Sequence, residues 1–189
     1  KIHKSNYRIK GFVHETTSEE LVSLGKKYNL PTFYDAGSGL LFPIKGIDLQ
    51  DEPCIDLEIK KGWDIISFSG DKLLGAPQAG LIIGEKTCID AMRKNPITRA
   101  LRPDKFTLAA LESTLLLYLD ENTAMHEIPT LRMIHENPEV LKKRSQRIAR
   151  ALGRLSGITS VTTLPLSSGI GGGSLPDISI PSYGIAITP

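Results

Sequence analysis

Apolar residues recur at helical spacing in the segment around residues 17–29. Thr17 and Glu20 fit a capping box, which predicts a helix that starts after Thr17 and is stopped by Asn29. The apolar residues expected on one face of this helix are Leu21, Leu24 and Tyr28. The segment therefore predicts an amphipathic helix with these three side chains on one face.

Three short apolar runs, at residues 31–35, 64–69 and 79–83, predict strands, and the last two have the continuous apolar character of strands covered on both faces. Residues 53–61 alternate in polarity as a strand would. Acidic Asp51 and Glu52 ahead of this segment and Gly62 behind it favour a short helix instead. Strands that alternate with helices predict an α/β fold.

Three further helices are predicted, over residues 85–94, 104–119 and 137–157. Asp104 is a good N-cap for the second of them. Its apolar stripe consists of Leu108, Leu111, Leu115 and Tyr118. Asn137 and Pro138 open the third helix, and Gly157 is expected to end it. The first two of these helices should cover the sheet.

The residue composition of the chain changes after the third helix. Residues 158–164 are rich in β-formers, residues 167–174 form a glycine- and serine-rich segment predicted to be a flexible loop, and residues 178–188 predict another strand. We expect a domain boundary near residues 129–137. The chain then divides into residues 1–130, part of a large domain, and residues 131–189, the beginning of a small C-terminal domain.

Composition adds few constraints to this pattern. The chain has 189 residues, of which 40% are hydrophobic and 23% charged, which is ordinary for a globular protein. Its net charge of +2 permits an anionic partner without requiring one. Cys54 and Cys88 are too few for a disulfide framework, and a reduced intracellular chain is the simpler interpretation. The apolar run at residues 115–119 is far shorter than the ~20 residues of a membrane helix. We expect a cytoplasmic protein with no membrane partner.

Several weaker features have an ordinary structural explanation. The glycine-rich residues 169–174 could cradle a phosphate, but they neither follow a clear strand nor open a clear helix, so a plain loop is favoured. The lysines and arginines of the helix after Pro138 could contact RNA phosphates, although a solvated face is the more common role of such a run. The four histidines have no metal-binding spacing, with each other or with cysteine.

Two polar residues follow predicted strands at the edge where open α/β sheets bind ligands. Asp35 ends one strand and is followed by Gly37 and Gly39, a pattern equally consistent with a simple turn. Lys72 follows another strand in a tight turn and is a candidate nucleophile for a Schiff base. A lysine and an acidic residue together are the groups that pyridoxal 5′-phosphate (PLP) enzymes use, and Ser69 could bind the cofactor phosphate.

The segment around Lys72 closely resembles the cofactor-lysine segment of the bacterial selenocysteine synthase family, the L-seryl-tRNA(Sec) selenium transferases. It reads Ser67-Phe-Ser-Gly-Asp-Lys-Leu-Leu-Gly-Ala-Pro-Gln-Ala-Gly80. Other segments resemble the family in the family's order, so that the resemblance covers nearly the whole chain. They are residues 5–12, Asp35-Ala-Gly-Ser-Gly39, Arg99-Ala-Leu-Arg102, residues 104–112, Ile128-Pro-Thr-Leu-Arg132 and residues 171–176.

The resemblance implies a PLP-dependent transferase of fold type I, similar to aspartate aminotransferase. Such a fold has a large domain with a mostly parallel sheet and a small C-terminal α/β domain. The implied reaction converts seryl-tRNA(Sec) to selenocysteinyl-tRNA(Sec), by β-elimination of water and addition of selenium from selenophosphate to an aminoacrylate. The family also implies a homo-oligomer, a ring of dimers with active sites at subunit interfaces.

The same resemblance assigns roles to individual residues. Lys72 would form the Schiff base with PLP and Asp35 would face the pyridine nitrogen. Asp71 corresponds to an acidic residue of the family's active site, with its role left open. Arg99 and Arg102 are similar to a pair that binds the anionic selenium donor, and guanidinium groups suit bidentate recognition of phosphate. The alternative for this pair is ordinary surface charge near a helix cap.

The chain departs from the family pattern at Gly75-Ala76, where Gly-Gly is more usual. Alanine is tolerated there if the backbone at Ala76 does not need a positive φ. The family's N-terminal segments, including its cofactor-phosphate loop, should precede Lys1, so we expect the chain to be a fragment. Two other functions stay open at this point: a related PLP lyase acting on a small amino acid or amino sugar, and a non-catalytic tRNA-binding relative.

Overall fold

The computed structural model describes residues 1–5, 7, 9, 11–44, 46–47, 49, 52–171 and 178–188. Eight helices and five strands lie in these residues. In chain order they are α1 (Ser18–Tyr28), β1 (Phe33–Gly37), α2 (Ile55–Lys61), β2 (Ile65–Ser69), β3 (Gly80–Gly84), α3 (Lys86–Lys94), α4 (Ile97–Leu101), α5 (Lys105–Leu117), α6 (Glu121–Glu127), α7 (Pro129–His135), α8 (Pro138–Leu152), β4 (Ser160–Gly169) and β5 (Ser179–Thr188).

The first three strands form one sheet in the order β1-β2-β3. β1 and β2 are parallel, with Asp35 opposite Ser67, and α2 lies in the connection between them. β2 and β3 are antiparallel, with Ser69 opposite Gly80. The connection between β2 and β3 is too short for the crossover that a parallel pair needs. Among the described residues, the expected mostly parallel sheet is therefore one parallel pair and one antiparallel pair.

The last two strands form an antiparallel hairpin that packs on α8. β4 and β5 pair from Ser160 opposite Thr188 to Gly169 opposite Ser179. The Ser145 hydroxyl of α8 donates a hydrogen bond to the Tyr183 carbonyl of β5, with 3.2 Å between the oxygens. Residues 131–171 and 178–188, predicted to begin a small domain, contain α8 and this hairpin, and the division into two domains stays a prediction.

The helix that the capping box predicts is present, but its buried face is different. Thr17 and Glu20 make both bonds of the box, and Asn29 caps the end with a left-handed backbone. The buried residues of α1 include Val22 and Gly25, whereas Leu24 and Tyr28 are 51% and 58% exposed. A Cβ on Gly25 would lie 2.2 Å from the Thr32 Cγ2 atom. The helix therefore packs closely on the segment after it through Gly25, whereas only Leu21 of the predicted apolar face packs against the buried core.

Several element boundaries also differ from the predictions. α8 starts after Asn137 as predicted but ends at Leu152, with Gly153 as its cap in place of Gly157. Residues 167–169 belong to β4, so that part of the predicted loop is strand, because each of them pairs with a residue of β5. Residues 172–174 of the predicted glycine-rich loop, and residues 172–176 of the family segment, lie outside the described residues. α7 occupies most of the predicted domain boundary.

The buried apolar side chains form two clusters. The sheet core lies around the three-stranded sheet and consists of Val22, Tyr34, Ala36, Ile55, Trp63, Ile66, Phe68 and Leu74. The second cluster, which we call the cleft core, consists of Leu40, Ile44, Leu49, Leu73, Ala124, Ile128, Leu131 and Ile134. Leu111 and Leu115 of α5 pack against the sheet core, whereas Leu108 is 47% exposed.

In the part of the chain that the structure describes, no helix is long and apolar enough to cross a membrane. Within the same residues, no group of three or more histidine, cysteine, aspartate or glutamate side chains could hold a metal ion.

Candidate active site at the lysine turn

The turn that follows β2, residues 70–76, carries Lys72 and is held in one shape by backbone hydrogen bonds. We call it the lysine turn. The Gly70 amide donates to the Ala79 carbonyl and the Ala76 amide donates to the Gly70 carbonyl, both at 2.8 Å. The Gly75 amide donates to the Lys72 carbonyl at 3.0 Å. Gly75 has a φ of 69°, whereas Ala76 is not among the residues with positive φ. The backbone therefore accepts alanine at position 76, as the sequence analysis required.

The two residues after Lys72 point into different clusters of the interior. Leu73 is 1% exposed and belongs to the cleft core, and Leu74 is fully buried in the sheet core. The Tyr118 hydroxyl donates a hydrogen bond of 2.9 Å to the Leu74 carbonyl. Burial raises the pKa of Tyr118 above its ordinary value, so this hydroxyl keeps its proton and remains a donor. The position of Lys72 is thus fixed from both sides of the turn.

β1 runs through Asp35 to Gly37, two residues further than predicted, and its last residues together with Ser38 and Gly39 pack directly against the lysine turn. We call residues 35–39 the Asp35 loop. The Ser38 carbonyl accepts a hydrogen bond of 3.0 Å from the Leu73 amide. Gly39 has a φ of 76°, and a Cβ there would lie 2.6 Å from the Ser69 carbonyl oxygen. Only glycine allows the two segments to approach this closely. Asp35 ends up on the strand next to the one that leads to Lys72, and its Oδ1 accepts a bond of 3.3 Å from the Gly37 amide.

Lys72 and Asp71 line a cavity of about 840 Å³ between the lysine turn and the C-terminal helices and hairpin. The opposite wall includes Arg132 of α7 and the ion pair between Glu136 and Arg144, whose charged atoms are 3.1 Å apart. Residues of β4 and β5 complete the lining. The cavity therefore presents an amine and side chains of both charges to a bound molecule.

The remaining predicted site residues lie at different distances from this cavity. Ser69 is the last residue of β2, three before Lys72, and Asp35 is in the neighbouring strand, but neither lines the cavity. Arg99 lies on α4 and Arg102 caps it, and both are exposed. The described chain does not bring these two arginines to the cavity that holds Lys72. Their assignment to the anion site stays a prediction.

Glu52 is a residue of this region that the sequence analysis missed, because it interpreted the residue as a charge near the start of α2. The side chain is only 7% exposed, and the Ser38 hydroxyl donates a hydrogen bond to its Oε1 atom. Burial raises the pKa of the carboxyl, while the Ser38 bond and the charges of His3 and Lys72 lower it, with a net increase. Burial of an acid depends on tertiary contacts, so local sequence carries no signal for it.

The side chains present suit PLP. A lysine amine is the group that PLP binds covalently, and a carboxylate is the usual partner of its pyridine nitrogen. Asp35 lies within β1 and Lys72 follows the adjacent strand β2, and the close contact at Gly39 holds the segments that carry them together. Ser69 adds a hydroxyl at the end of β2. These residues therefore fit the cofactor that the sequence suggested.

Comparison with known proteins gives a match over the whole chain. The family model described as L-seryl-tRNA selenium transferase matches residues 1–189. The chain is 47% identical to the L-seryl-tRNA(Sec) selenium transferase of Maridesulfovibrio salexigens, over 100% of the chain and 41% of that protein. It is also 47% identical to the proteins of the same name from Alkaliphilus metalliredigens and Clostridium botulinum strain Loch Maree, over 99% of the chain and 40% of each relative. The chain thus spans about two fifths of the length of these relatives.

The fold has a counterpart among solved structures. The structure titled D-glucosaminate-6-phosphate ammonia-lyase aligns with 99% of this chain and 41% of its own length, with a TM-score of 0.54 and 18% sequence identity. At this identity the likeness concerns the fold. It confirms the fold class predicted from the sequence.

Proposed function

The chain belongs to the L-seryl-tRNA selenium transferase family, and from that membership we propose that it forms the lysine-bearing part of an enzyme that converts seryl-tRNA(Sec) to selenocysteinyl-tRNA(Sec). The proposed selenium donor is selenophosphate. The observation that carries the proposal is the placement of Lys72, which is fixed between two buried cores beside the Asp35 loop and faces a cavity. Such a setting holds the backbone of the lysine in one position.

The proposed cofactor is PLP, held covalently by Lys72. Asp35 would face the pyridine nitrogen and Ser69 would donate its hydroxyl to the cofactor phosphate. When bound, PLP withdraws electrons from the α-carbon of the seryl group, which makes the α-proton acidic and allows the β-hydroxyl to leave as water. Residues outside this chain would complete the cofactor site, since the chain spans 41% of its relative from Maridesulfovibrio salexigens.

The residues of the chain then have separate tasks. The Lys72 amine lies on the cavity wall, where it would take the α-proton of the seryl group and later return a proton to the α-carbon. Asp71 lines the same cavity and would act on the substrate or on the lysine. The cavity walls would exclude water from the dehydrated substrate, so that selenium, and not water, adds to the β-carbon.

Arg99 and Arg102 would bind the anionic selenium donor, as guanidinium groups bind phosphate in a bidentate manner. Both are exposed on and after α4, apart from the Lys72 cavity of their own chain. We place them at the active site of a neighbouring copy in a homo-oligomer, a ring of dimers. This arrangement would make each site depend on two chains.

The cofactor proposal is tested by adding PLP to the full-length protein, reducing with borohydride and mapping the labelled peptide. Reduction traps the bond at the lysine that formed it, so we expect label at Lys72 and none in Lys72→Ala. Lys86→Ala is the control, because Lys86 is exposed on α3 and forms an ion pair with Asp90. Label on another lysine, or no label, would contradict the PLP assignment. Conversion of seryl-tRNA to selenocysteinyl-tRNA, with no turnover of free serine, would distinguish the proposed enzyme from a lyase of small amino acids.

The arrangement of the arginines is tested by mixing two inactive variants. Lys72→Ala and Arg102→Ala should each abolish turnover alone. If Arg102 serves the site of a neighbouring chain, mixed oligomers will contain sites with both residues intact and will regain part of the activity. Arg93→Ala on α3 is the matched control and should stay active. Failure of the mixture to regain activity, in oligomers shown to have exchanged subunits, would exclude the shared site.

A further inference from the structure

Arg132 is a cationic side chain of the Lys72 cavity that the proposed reaction does not use. It lies on α7, in the wall opposite Lys72 and Asp71. The other arginine of that wall, Arg144, is paired with Glu136 at 3.1 Å. Arg132 forms no ion pair with a carboxylate of the described chain. Its guanidinium is therefore available to an anion that enters the cavity.

Close packing fixes α7 against the lysine turn. Ile128, the N-cap of α7, is 1% exposed and belongs to the cleft core together with Leu73 of the lysine turn. A Cβ on Gly75 of that turn would lie 2.5 Å from the Ile128 Cγ2 atom. The Arg132 amide donates to the Ile128 carbonyl at 2.9 Å. The helix that carries Arg132 is therefore packed directly on the segment that carries Lys72, so both residues line one cavity in a defined arrangement.

Apolar side chains make up much of the wall around Arg132. They include Met133 of α7, Leu141 of α8, Ile170 after β4 and Ile180 of β5. Met133 is 66% exposed although it is large and apolar. Ser168 and Ser182 of the hairpin add hydroxyl groups to the lining. Apolar surface, hydroxyl groups and one unpaired guanidinium together suit a nucleotide, which consists of a flat base, a sugar and a phosphate.

The proposed substrate brings a nucleotide to this cavity. In seryl-tRNA the serine is esterified to the ribose of the 3′-terminal nucleotide, so a seryl group placed at Lys72 carries the base and the phosphate of that nucleotide with it. The cavity volume of about 840 Å³ lies within the range of about 300–1,000 Å³ that is typical of sites for small organic ligands. A free phosphate donor has no apolar group to place on the wall around Arg132, which favours the tRNA end as the occupant.

We propose that Arg132 binds the phosphate of the 3′-terminal nucleotide of seryl-tRNA(Sec), and that the apolar side chains around it hold the base. This site rests on the proposed function, because it receives the substrate of that reaction. A guanidinium binds a phosphate through two parallel hydrogen bonds, so it fixes orientation as well as affinity. The seryl ester is then held towards Lys72. Free serine lacks the nucleotide, so the same contact selects the tRNA-bound amino acid over the free one.

The first test is modification of Arg132 by phenylglyoxal in the full-length protein, with the labelled peptide measured by mass spectrometry. Intact tRNA(Sec) should slow the labelling of Arg132 severalfold. The same tRNA without its 3′-terminal nucleotide should leave the labelling rate of Arg132 unchanged. Arg93, which is exposed on α3 and does not line the cavity, is the control and should be labelled equally with either tRNA. Equal protection of Arg132 by the two tRNAs, or protection by neither, would overturn the inference.

The second test is the steady-state kinetics of Arg132→Gln, which removes the charge from an exposed position. Loss of the charged hydrogen bonds should lower kcat/KM for seryl-tRNA(Sec) about tenfold to a hundredfold, whereas the KM for selenophosphate should stay at the parental value. Arg93→Gln is the matched control and should behave like the parent. A higher KM for selenophosphate with unchanged kcat/KM for seryl-tRNA(Sec) would place the selenium donor at Arg132 and overturn the inference, as would parental values of both.

Failure of the inference and failure of the proposed function give different results. Labelling by phenylglyoxal reports contact between the tRNA end and Arg132 without any reaction of the substrate. If the tRNA end protects Arg132 but the parent does not convert seryl-tRNA(Sec), the proposed function fails and the nucleotide site stands. If the parent converts seryl-tRNA(Sec) and neither test shows an effect at Arg132, only the role of Arg132 is refuted.

Discussion

Replacing Gly39 with alanine tests whether close packing of the Asp35 loop on the strand before Lys72 builds the site. Gly39 has a φ of 76°, and an added Cβ would lie 2.6 Å from the Ser69 carbonyl oxygen. Gly46 provides a matched control, because its φ is 82° and an added Cβ would meet nothing within 4 Å. The two substitutions therefore share the backbone strain and differ in the contact.

The magnitudes follow from these two terms. A left-handed backbone costs an L-residue about 1–2 kcal/mol, and loss of glycine from the unfolded chain returns about 0.4–1 kcal/mol. Gly46→Ala should therefore lower the free energy of unfolding by about 1 kcal/mol. Gly39→Ala adds an overpacking term of about 1–3 kcal/mol, because the atom it meets is rigid backbone. We expect a loss of about 2–4 kcal/mol at Gly39.

The assay is urea unfolding of the full-length protein and both variants, followed by titration with PLP. Gly39→Ala should unfold at lower urea and bind PLP more weakly, since relief of the clash moves the Asp35 loop away from β2. Gly46→Ala should bind PLP like the parent. Equal losses of stability in the two variants, or unchanged PLP affinity in Gly39→Ala, would refute the reasoning that this contact holds the segments of Asp35 and Lys72 together for the proposed cofactor.

Two further predictions concern polar contacts of the interior. Tyr118→Phe removes the hydroxyl that donates to the Leu74 carbonyl. In urea unfolding we expect the free energy of unfolding to fall by about 1–2 kcal/mol, because the carbonyl loses its side-chain donor. A change within error would mean that water replaces the bond. Burial alone would raise the pKa of Glu58, but its bonds from Lys61, Ser18 and Trp63 outweigh burial and lower it. A depressed folded pKa gives stability that is present above the unfolded value and lost as pH falls through the folded one. Thermal unfolding of Glu58→Gln should accordingly depend less on pH in the acid range than the parent, and equal slopes would contradict this.

The sequence predicted what depends on local chemistry. Thr17 with Glu20, Asp104 and Asn137 cap the helices they were expected to cap, because a cap needs only its own side chain and the next backbone amides. The strand that contains Asp35 and the strand before Lys72 were also found from their apolar runs, although β1 extends to Gly37 and does not end at Asp35. The lysine motif was sufficient to indicate the family, since its order of small and polar residues is specific over many positions.

What the sequence did not predict depends on contacts between distant segments. The buried face of α1 is set by Thr32 and the Leu30 carbonyl, which pack on Gly25. The burial of Glu52 is set by Ser38, fourteen residues earlier. The short helices α4, α6 and α7 lack the length that makes periodicity visible. Neither the depth of a polar residue nor its partner can be obtained from a one-dimensional pattern of polarity.

Leu73 and Leu74 point into the cleft core and the sheet core, so the position of Lys72 depends on the packing of both cores. Leu73 and Leu74 are almost fully buried in separate clusters, so loosening of either cluster pulls on the same peptide unit. The backbone amide of Leu73 is bonded to Ser38 and should exchange with solvent only when this junction opens. The exchange rate of this one amide therefore reports how firmly the two cores hold the backbone beside Lys72 in place.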